Sequence, residues 1–295
     1  MSQVLVTGAA GFIGSHVAEL LVKRGYDVTA LDNLSQGNRE WVPSDATFIK
    51  GDVCDLPLVR RLCVGKEAVF HLAAMSRVLP SLRGGPSATL FSADNNITGT
   101  LNMLVAATEA KVGKFIYSAS STCYGNTPPP HYEDMPEACE TPYAVSKYAG
   151  EMYALQFARM YKLPVVSLRY FQVYGPRQPV SGEYAMVTGI FLDQHKRGVP
   201  LTVHGDGSQR RDFVHVHDVA EANVRSFEGP LNAHVINIGT GQNTSIKELA
   251  DMISPNQERQ RPRQHDMAAT LADTSRCKEL LRWVPGIKMT AENIG

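Results

Sequence analysis

The sequence predicts an α/β protein with a doubly wound parallel sheet and a smaller C-terminal lobe. Short apolar segments of strand length alternate with helical segments through the first half of the chain, and a glycine-rich turn joins the first such pair. Parallel strands can be joined only by a crossover connection, which a helix usually provides. Alternating strands and helices are therefore typical of a parallel sheet with helices on both faces.

Each predicted strand is a short apolar run bounded by glycine or polar residues. The strands are expected at residues 3–7, 27–31, 47–49, 68–71, 114–118 and 165–168. Helices are expected at 12–24, 95–110 and 143–161, where apolar residues recur at helical spacing. Glycine, proline and polar residues become frequent after Gln178. We therefore expect a first domain over 1–177, to which segments near 205–240 return, and a smaller interleaved lobe over 178–295. Within this lobe the polar stretch 256–263 predicts a loop.

The composition of the 295-residue chain is that of an ordinary globular protein. Its net charge is zero, which gives no general affinity for nucleic acid or an anionic membrane. The five cysteines form no CxxC pair, so neither a zinc site nor a disulfide framework is indicated. No apolar run reaches the roughly 18 residues that span a bilayer, and the first strand begins too early for a signal peptide. We expect a soluble, cytoplasmic protein without a metal.

Gly8, Gly11 and Gly14 form a GxxGxxG motif between the first strand and the first helix. Gly8 would make the tight turn, Gly11 would let a pyrophosphate approach the backbone, and Gly14 would let the helix pack closely on the strand. The pyrophosphate would lie at the helix N-terminus, where backbone N–H groups are free. The motif predicts a Rossmann dinucleotide site formed by Gly8, Ala10, Gly11, Phe12, Ile13 and Gly14.

Acidic and small residues at the ends of the next three strands extend this site. Asp32 ends the second strand, where a carboxylate binds the adenosine ribose hydroxyls and repels a 2′-phosphate; NAD is therefore favoured over NADP, although Asp32 would also suit a turn cap. Asp52 follows the third strand and would either bond the adenine amino group or cap a helix. The residues after the fourth strand would lie beside the cofactor or simply pack closely. The predicted cofactor contacts from this part are Asp32, Asn33, Asp52, Val53, Leu72, Ala73 and Ala74.

Tyr143 and Lys147 lie four residues apart on one face of a predicted helix. A free tyrosine has a pKa of about 10, which is too high for a base near neutral pH. A neighbouring ammonium and an oxidised nicotinamide both favour the phenolate and lower this pKa. Alone, such a pair is common on helix surfaces. The pair indicates a catalytic site here because the hydroxyl-rich run 118–125 precedes it. This run lies at the C-terminal end of the fifth strand, where ligand sites of parallel sheets lie.

Several motifs recur in a recognisable order. They are GxxGxxG, HLAA at 71–74, the run 118–125, the Tyr143/Lys147 pair, RYFQVYGPRQ at 169–178 and GDGSQRRDFVHV at 205–216. With them the chain resembles the extended short-chain dehydrogenases/reductases of the NAD-dependent epimerase/dehydratase family, and most closely the UDP-hexose 4-epimerases. The resemblance implies a nucleotide-sugar 4-epimerase with tightly bound NAD, a transient 4-keto intermediate, and a UDP-sugar such as UDP-glucose or UDP-galactose as substrate. It also implies a homodimer formed by the helices at 95–110 and 143–161.

The resemblance implies roles for individual residues. Tyr143 would be the catalytic acid/base and Lys147 its partner. Ser120, with Thr122 as a neighbouring candidate, would relay the proton of the sugar 4-hydroxyl. On the cofactor side the resemblance implies Asn95, Ser118 and Tyr170. On the substrate side it implies Ser120, Ser121, Gln172, Thr270, and Arg211 and Arg263, two arginines that would hold the diphosphate.

Departures from the family pattern bear on the reaction. Gln172 stands where relatives carry asparagine. Ser121 and Thr122 stand where dehydratases carry Asp-Glu and decarboxylases commonly carry glutamate, so the missing acid favours epimerisation. Thr270 aligns with the position where a bulky tyrosine limits the sugar pocket to plain hexoses, so we hypothesise that larger sugars enter. The alternatives are that this alignment is off by one residue or that Thr270 is only a strand residue. A dehydratase, decarboxylase or reductase is the enzyme alternative, and a non-catalytic NAD-binding regulatory protein is a remote one.

Overall fold

The structure is a computed structural model that describes residues 2–76, 81, 85–262 and 267–294. The strands in these residues are β1 (Gln3–Thr7), β2 (Asp27–Asp32), β3 (Thr47–Lys50), β4 (Ala68–His71), β5 (Lys114–Ser120), β6 (Val165–Tyr170), β7 (Gln172–Tyr174), β8 (Leu201–His204), β9 (Arg210–Arg211), β10 (Phe213–His215), β11 (His234–Ile238), β12 (Thr244–Ser245) and β13 (Gln257–Gln260). The α-helices are α1 (Phe12–Lys23), α2 (Leu56–Cys63), α3 (Gly85–Ala93), α4 (Gly99–Glu109), α5 (Pro142–Tyr161), α6 (Val187–Lys196), α7 (Val216–Glu228), α8 (Ile246–Ile253) and α9 (Ser275–Leu281).

Seven parallel strands form the central sheet, in the order β11-β6-β5-β4-β1-β2-β3. The predicted doubly wound α/β fold is therefore confirmed, and each of the six predicted strands is present. Strand β11 is the seventh, and it pairs with β6 at the edge of the sheet. Helices cover both faces, so successive residues of inner strands such as β4 and β6 are all buried instead of alternating between buried and exposed.

Two apolar clusters hold these layers together. On one face α1 and α7 pack against the sheet through residues such as Val17, Leu21 and Val219, which are fully buried. On the other face α2, α4 and α5 pack through residues such as Met103 and Leu104. Because both faces are covered, the C-terminal ends of the strands are the open edge at which polar groups meet.

The smaller C-terminal region consists of strand pairs and two helices beyond this open edge. Strand β7 pairs with β10, β8 with β13, and β9 with β12. A third apolar cluster, which includes Phe191, Leu201 and Leu249, joins α6, α8 and these strands. The loop predicted over 256–263 is wrong at its centre, because Gln257–Gln260 forms β13 and pairs in parallel with β8.

The helix predicted at 95–110 differs from the observed one. Helical structure is already present at Gly85, and a π-helical turn at Asp94–Thr98 precedes α4. Two adjacent asparagines in this turn face different surroundings: Asn95 lines a cavity, whereas Asn96 is buried and bonds both backbone groups of Met75. Such turns often occur at functional sites.

Among the helices in the described part of the chain, none combines the length and the apolar character that crossing a lipid bilayer requires.

Candidate active site

The glycine-rich turn after β1 is built for close backbone contact. Gly8 has a φ of +67°, and a Cβ placed on it would lie 2.8 Å from the backbone nitrogen of Ala73. A Cβ on Gly14 would collide with the carbonyl oxygen of Gly8, so the first turn of α1 packs directly on the loop. Gly11 is the N-cap of α1 and supplies no side-chain cap. The N–H groups of this helix end are therefore free to bind an anion such as a pyrophosphate.

Asp32, at the end of β2, both caps a turn and faces the cavity. Its Oδ2 accepts a hydrogen bond from the backbone N–H of Ala10 at 2.9 Å, and its Oδ1 accepts one from that of Leu34 at 2.8 Å. A carboxylate has capacity for about four such bonds, so each oxygen can still accept a ribose hydroxyl. The two interpretations of Asp32 are therefore compatible.

Asp52 lies between two residues of the cavity wall, Gly51 and Val53, and bonds a third. It is not part of the cavity wall, since its carboxylate bonds the side chain of Asn33 at 2.9 Å and the backbone N–H of Cys54 at 2.8 Å. The helix cap is Asp55, whose side chain accepts from Leu58. The adenine contact of Asp52 stays a prediction, because each carboxylate oxygen accepts one bond here and has capacity for another. Ala10 is also not a wall residue, and its N–H donates to the Asp32 carboxylate.

His71 begins the HLAA motif but serves the core. Its ring nitrogens lie 2.8 Å from Thr7 Oγ1 and 3.0 Å from Thr100 Oγ1, and the ring is almost fully buried. Burial lowers the pKa of His71 to about 3, so the imidazole is neutral at physiological pH. The three residues that follow are the ones that reach the cavity: Leu72, Ala73 and Ala74.

The hydroxyl cluster at the end of β5 is ordered by short hydrogen bonds. Ser118 Oγ lies 3.0 Å from the Tyr170 hydroxyl, which also bonds Asn223. Ser120 Oγ lies 2.9 Å from Thr122 Oγ1 and caps the 3₁₀ turn that follows. Two hydroxyls within hydrogen-bond reach of one another form a path for a proton.

Helix α5 brings Tyr143 and Lys147 to the same cavity. The side chain of Thr141 caps the helix and Pro142 occupies its first turn, which sets where the helix begins. Lys147 is 5% exposed, and its Nζ lies 4.6 Å from the centroid of the Tyr117 ring. Burial lowers the pKa of Lys147 from 10.5 to about 7, with the nearby Glu151 acting in the opposite direction.

The third side of the site comes from the segments after β6. Gln172 lies on β7, and Arg211 on β9 is largely buried. Thr270 is also buried, and its Oγ1 accepts the backbone N–H of Asp212 at 3.2 Å. These residues are far apart in the sequence and meet only through the pairing of β7 and β10 and the contacts around β9. Arg263 lies outside the described residues.

One cavity of about 820 Å³ joins all of these parts. Every predicted site residue in the described part of the chain lies on its wall, except Ala10 and Asp52. These residues are Gly8, Gly11, Phe12, Ile13, Gly14, Asp32, Asn33, Val53, Leu72, Ala73, Ala74, Asn95, Ser118, Ser120, Ser121, Thr122, Tyr143, Lys147, Tyr170, Gln172, Arg211 and Thr270.

Sequence reasoning missed two further stretches of the wall. The loop after β2 contributes Ser35, Gln36 and Gly37, and a turn-rich sequence directly after Asp32 was a usable signal. The segment 179–187 lines the cavity with nine consecutive residues. It carries no motif, so only the fold reveals its position.

A dinucleotide cradle and a Tyr–Lys pair on one cavity place this chain among proteins of the short-chain dehydrogenase/reductase type. The comparison with family models is more specific: residues 4–239 match the NAD dependent epimerase/dehydratase family, and the chain belongs to that family. The glycine turn, the uncapped helix end and Asp32 fit NAD, the cofactor named in the family description.

Several individual relatives are named as enzymes of UDP-sugars. The chain is 38% identical to a UDP-glucose 4-epimerase of Mycolicibacterium smegmatis, over 99% of this chain and 96% of the relative. It is similar to the crystal structure of the UDP-glucose 4-epimerase of Thermotoga maritima with UDP-glucose, with a TM-score of 0.93, 36% identity, and coverage of 99% and 96% of the two chains. It is also 36% identical to a UDP-N-acetyl-alpha-D-glucosaminuronate decarboxylase of Bacillus cytotoxicus, over 84% of this chain and 78% of the relative.

Proposed function

We propose that this protein is a UDP-hexose 4-epimerase that keeps NAD bound throughout its cycle. The proposal rests on the observation that Ser120, Tyr143 and Lys147 line the same cavity as the glycine turn. The similarity to 4-epimerases over nearly the whole of both chains supports the same assignment.

Individual residues have separate roles in the proposed epimerisation. As a phenolate, Tyr143 takes the proton of the sugar 4-hydroxyl, with Ser120 and Thr122 as the relay. Lys147, as an ammonium on the same face of α5, favours the phenolate. The chemistry that NAD supplies when bound is a reversible two-electron oxidation of the sugar alcohol at C4.

The nucleotide end of the substrate must stay held while the planar 4-keto sugar turns over. Arg211 would grip the diphosphate by a charge-assisted bond, and the same role is proposed for Arg263. Ser121 and Gln172 would contact the sugar side. Thr270 is small and leaves room for a substituent at C2 or C5, so we propose that N-acetylated or carboxylated hexoses are accepted as well.

A dehydratase or decarboxylase would need further acid/base groups beside the sugar. Among the described wall residues the carboxylates are Asp32 and Glu183, and neither belongs to the segment after β5. Because one relative is a decarboxylase, product analysis has to separate these reactions.

The deciding experiment is a panel of substrates. The purified protein is incubated with UDP-glucose, UDP-galactose, their N-acetyl forms and UDP-glucuronate, and the products are examined by NMR and mass spectrometry. We expect inversion at C4 with the substrate mass unchanged. Loss of water or of carbon dioxide, or no conversion of any sugar, would contradict the proposal.

The Tyr143→Phe variant tests the catalytic assignment. We expect kcat to fall by about 10²–10⁴-fold, the usual contribution of a general acid/base, while NAD stays bound because the glycine turn is untouched. Tyr153→Phe is the matched control, since Tyr153 lies on the same helix but is 42% exposed. Full activity in Tyr143→Phe, or an equal loss in both variants, would end this mechanism.

We also propose that the protein is a homodimer. Large apolar side chains are exposed on α3 and α5, among them Leu90 and Phe91 on α3 and Val145, Met152 and Met160 on α5. On α5 they follow helical spacing and form one stripe. Helix α3 runs through the π-helical turn into α4, so we propose that α3 extends the predicted pairing of α4 with α5.

A further inference from the structure

The ammonium of Lys147 is placed against the face of an aromatic ring. Its Nζ lies 4.6 Å from the centroid of the Tyr117 ring, and Tyr117 is fully buried. Among the residues that the structure describes, no carboxylate lies within ion-pair distance of this ammonium. A buried charge is costly unless something compensates it, and the negative face of an aromatic ring does so.

The Tyr117 ring is held from several sides. Its hydroxyl donates to the backbone carbonyl of Lys147 at 3.0 Å, which ties the ring to α5. The His71 ring stacks beside it, with the centroids 6.1 Å apart and the planes at 29°. A Cβ on Gly150 would collide with the Tyr117 hydroxyl, so a glycine here lets α5 approach β5. The ring is therefore a rigid surface.

The other titratable groups around Lys147 compensate its charge poorly. Glu151 lies one turn further along α5, but its carboxylate oxygens bond Arg169 at 2.6 and 3.0 Å. His71 on β4 is neutral. Tyr143 lies on the same face of α5, and its phenol is the group that the ammonium would assist.

We propose that Tyr117 is a positioning residue for the reaction, and that its ring face keeps the Lys147 ammonium charged and in place at the cavity wall. The consequence for catalysis rests on the proposed 4-epimerase function. The effect on the charge state of Lys147 does not, and it can be measured without any substrate.

The measurement is the pH dependence of Lys147 acetylation by acetic anhydride, read by peptide mass spectrometry in the NAD-free protein. Burial lowers the pKa of Lys147 to about 7, which lies within the range of this method. Replacing the ring in Tyr117→Leu removes the stabilisation of the charged form. The pKa should therefore fall by about 0.5–1 unit, the size of a partly desolvated cation–π contact.

Two variants separate this effect from packing. Tyr117→Phe keeps the ring and should retain the wild-type pKa. Phe115→Leu is the matched control, because Phe115 is also fully buried, lies two residues away on the same face of β5 and belongs to the same apolar cluster. An unchanged pKa in Tyr117→Leu, or an equal fall in Phe115→Leu, would overturn the proposal.

A shape-preserving replacement covers the case in which Tyr117→Leu does not fold. Pentafluorophenylalanine at position 117 keeps an aromatic ring but reverses the charge of its face, so the pKa of Lys147 should fall again; no fall would overturn the proposal. If the wild type converts no UDP-sugar while the labelling pattern holds, the proposed function fails and the role of Tyr117 stands.

Discussion

Lys147 lies at the proposed active site, and its burial lowers the free energy of unfolding. The unfolded chain holds a proton at this side chain below a pH of about 10.5, whereas the native side chain holds it only below about pH 7 because burial lowers its pKa. The unfolded state therefore holds more protons between these values, and the free energy of unfolding falls as the pH is lowered through this window.

Removing the amine should therefore stabilise the NAD-free protein. In Lys147→Met we expect a free energy of unfolding at pH 7 that is higher by on the order of 1–3 kcal/mol, and a smaller advantage at pH 9.5. Urea denaturation at both values measures it. Lys23→Met is the control, because Lys23 is exposed on α1 and its ion pair with Glu19 contributes little. A variant less stable than the wild type at pH 7 would contradict the account.

At the scale of an element, the first strand, turn and helix act as one unit. The contact between the Gly14 position and the Gly8 carbonyl decides how close α1 lies to β1. The position of the free N–H groups of α1 therefore depends on this close contact at Gly14.

Gly14→Ala tests this unit. Alanine favours helix by about 1 kcal/mol over glycine, yet we expect a lower melting temperature and at least about tenfold weaker NAD binding, because α1 must shift away from Gly8. Gly286→Ala is the matched control, since a Cβ there meets nothing within 4 Å. Thermal unfolding and calorimetric NAD titration give the two readouts. Unchanged NAD affinity in Gly14→Ala would show that the close approach is dispensable.

At the scale of the whole molecule, the exposed stripe on α5 bears on assembly. A chain of 32.3 kDa should elute at twice this mass if the stripe is covered by a second copy. A stable interface of this kind buries roughly 1,200–2,000 Å² in total, and a charge in its centre would be left unpaired.

Met152→Lys should therefore shift the protein toward the monomer at micromolar concentration, as measured by light scattering after size exclusion. Met152 lies near the middle of α5 and is 45% exposed, so the substitution should leave the fold of one chain intact. Met252→Lys, at a 40% exposed position on α8, is the control and should leave the mass unchanged. A monomeric wild type would contradict the proposed homodimer.

Much of this protein was determined by local sequence alone. The strands β1 to β6, the glycine turn and the helix carrying Tyr143 and Lys147 all follow from apolar runs, glycine positions and helical spacing, because these act within a few residues. Strand β13 did not follow: Gln257–Gln260 is polar, and only its pairing with β8 makes it a strand.

Only the tertiary structure decided how distant segments meet. It paired Asp52 with Asn33 at the cavity wall, laid the segment 179–187 on that wall, and set the Tyr117 ring under the Lys147 ammonium. The physical reason is that spacing along a helix or strand shows which residues share a face. What that face meets depends on contacts between residues that are far apart in the chain.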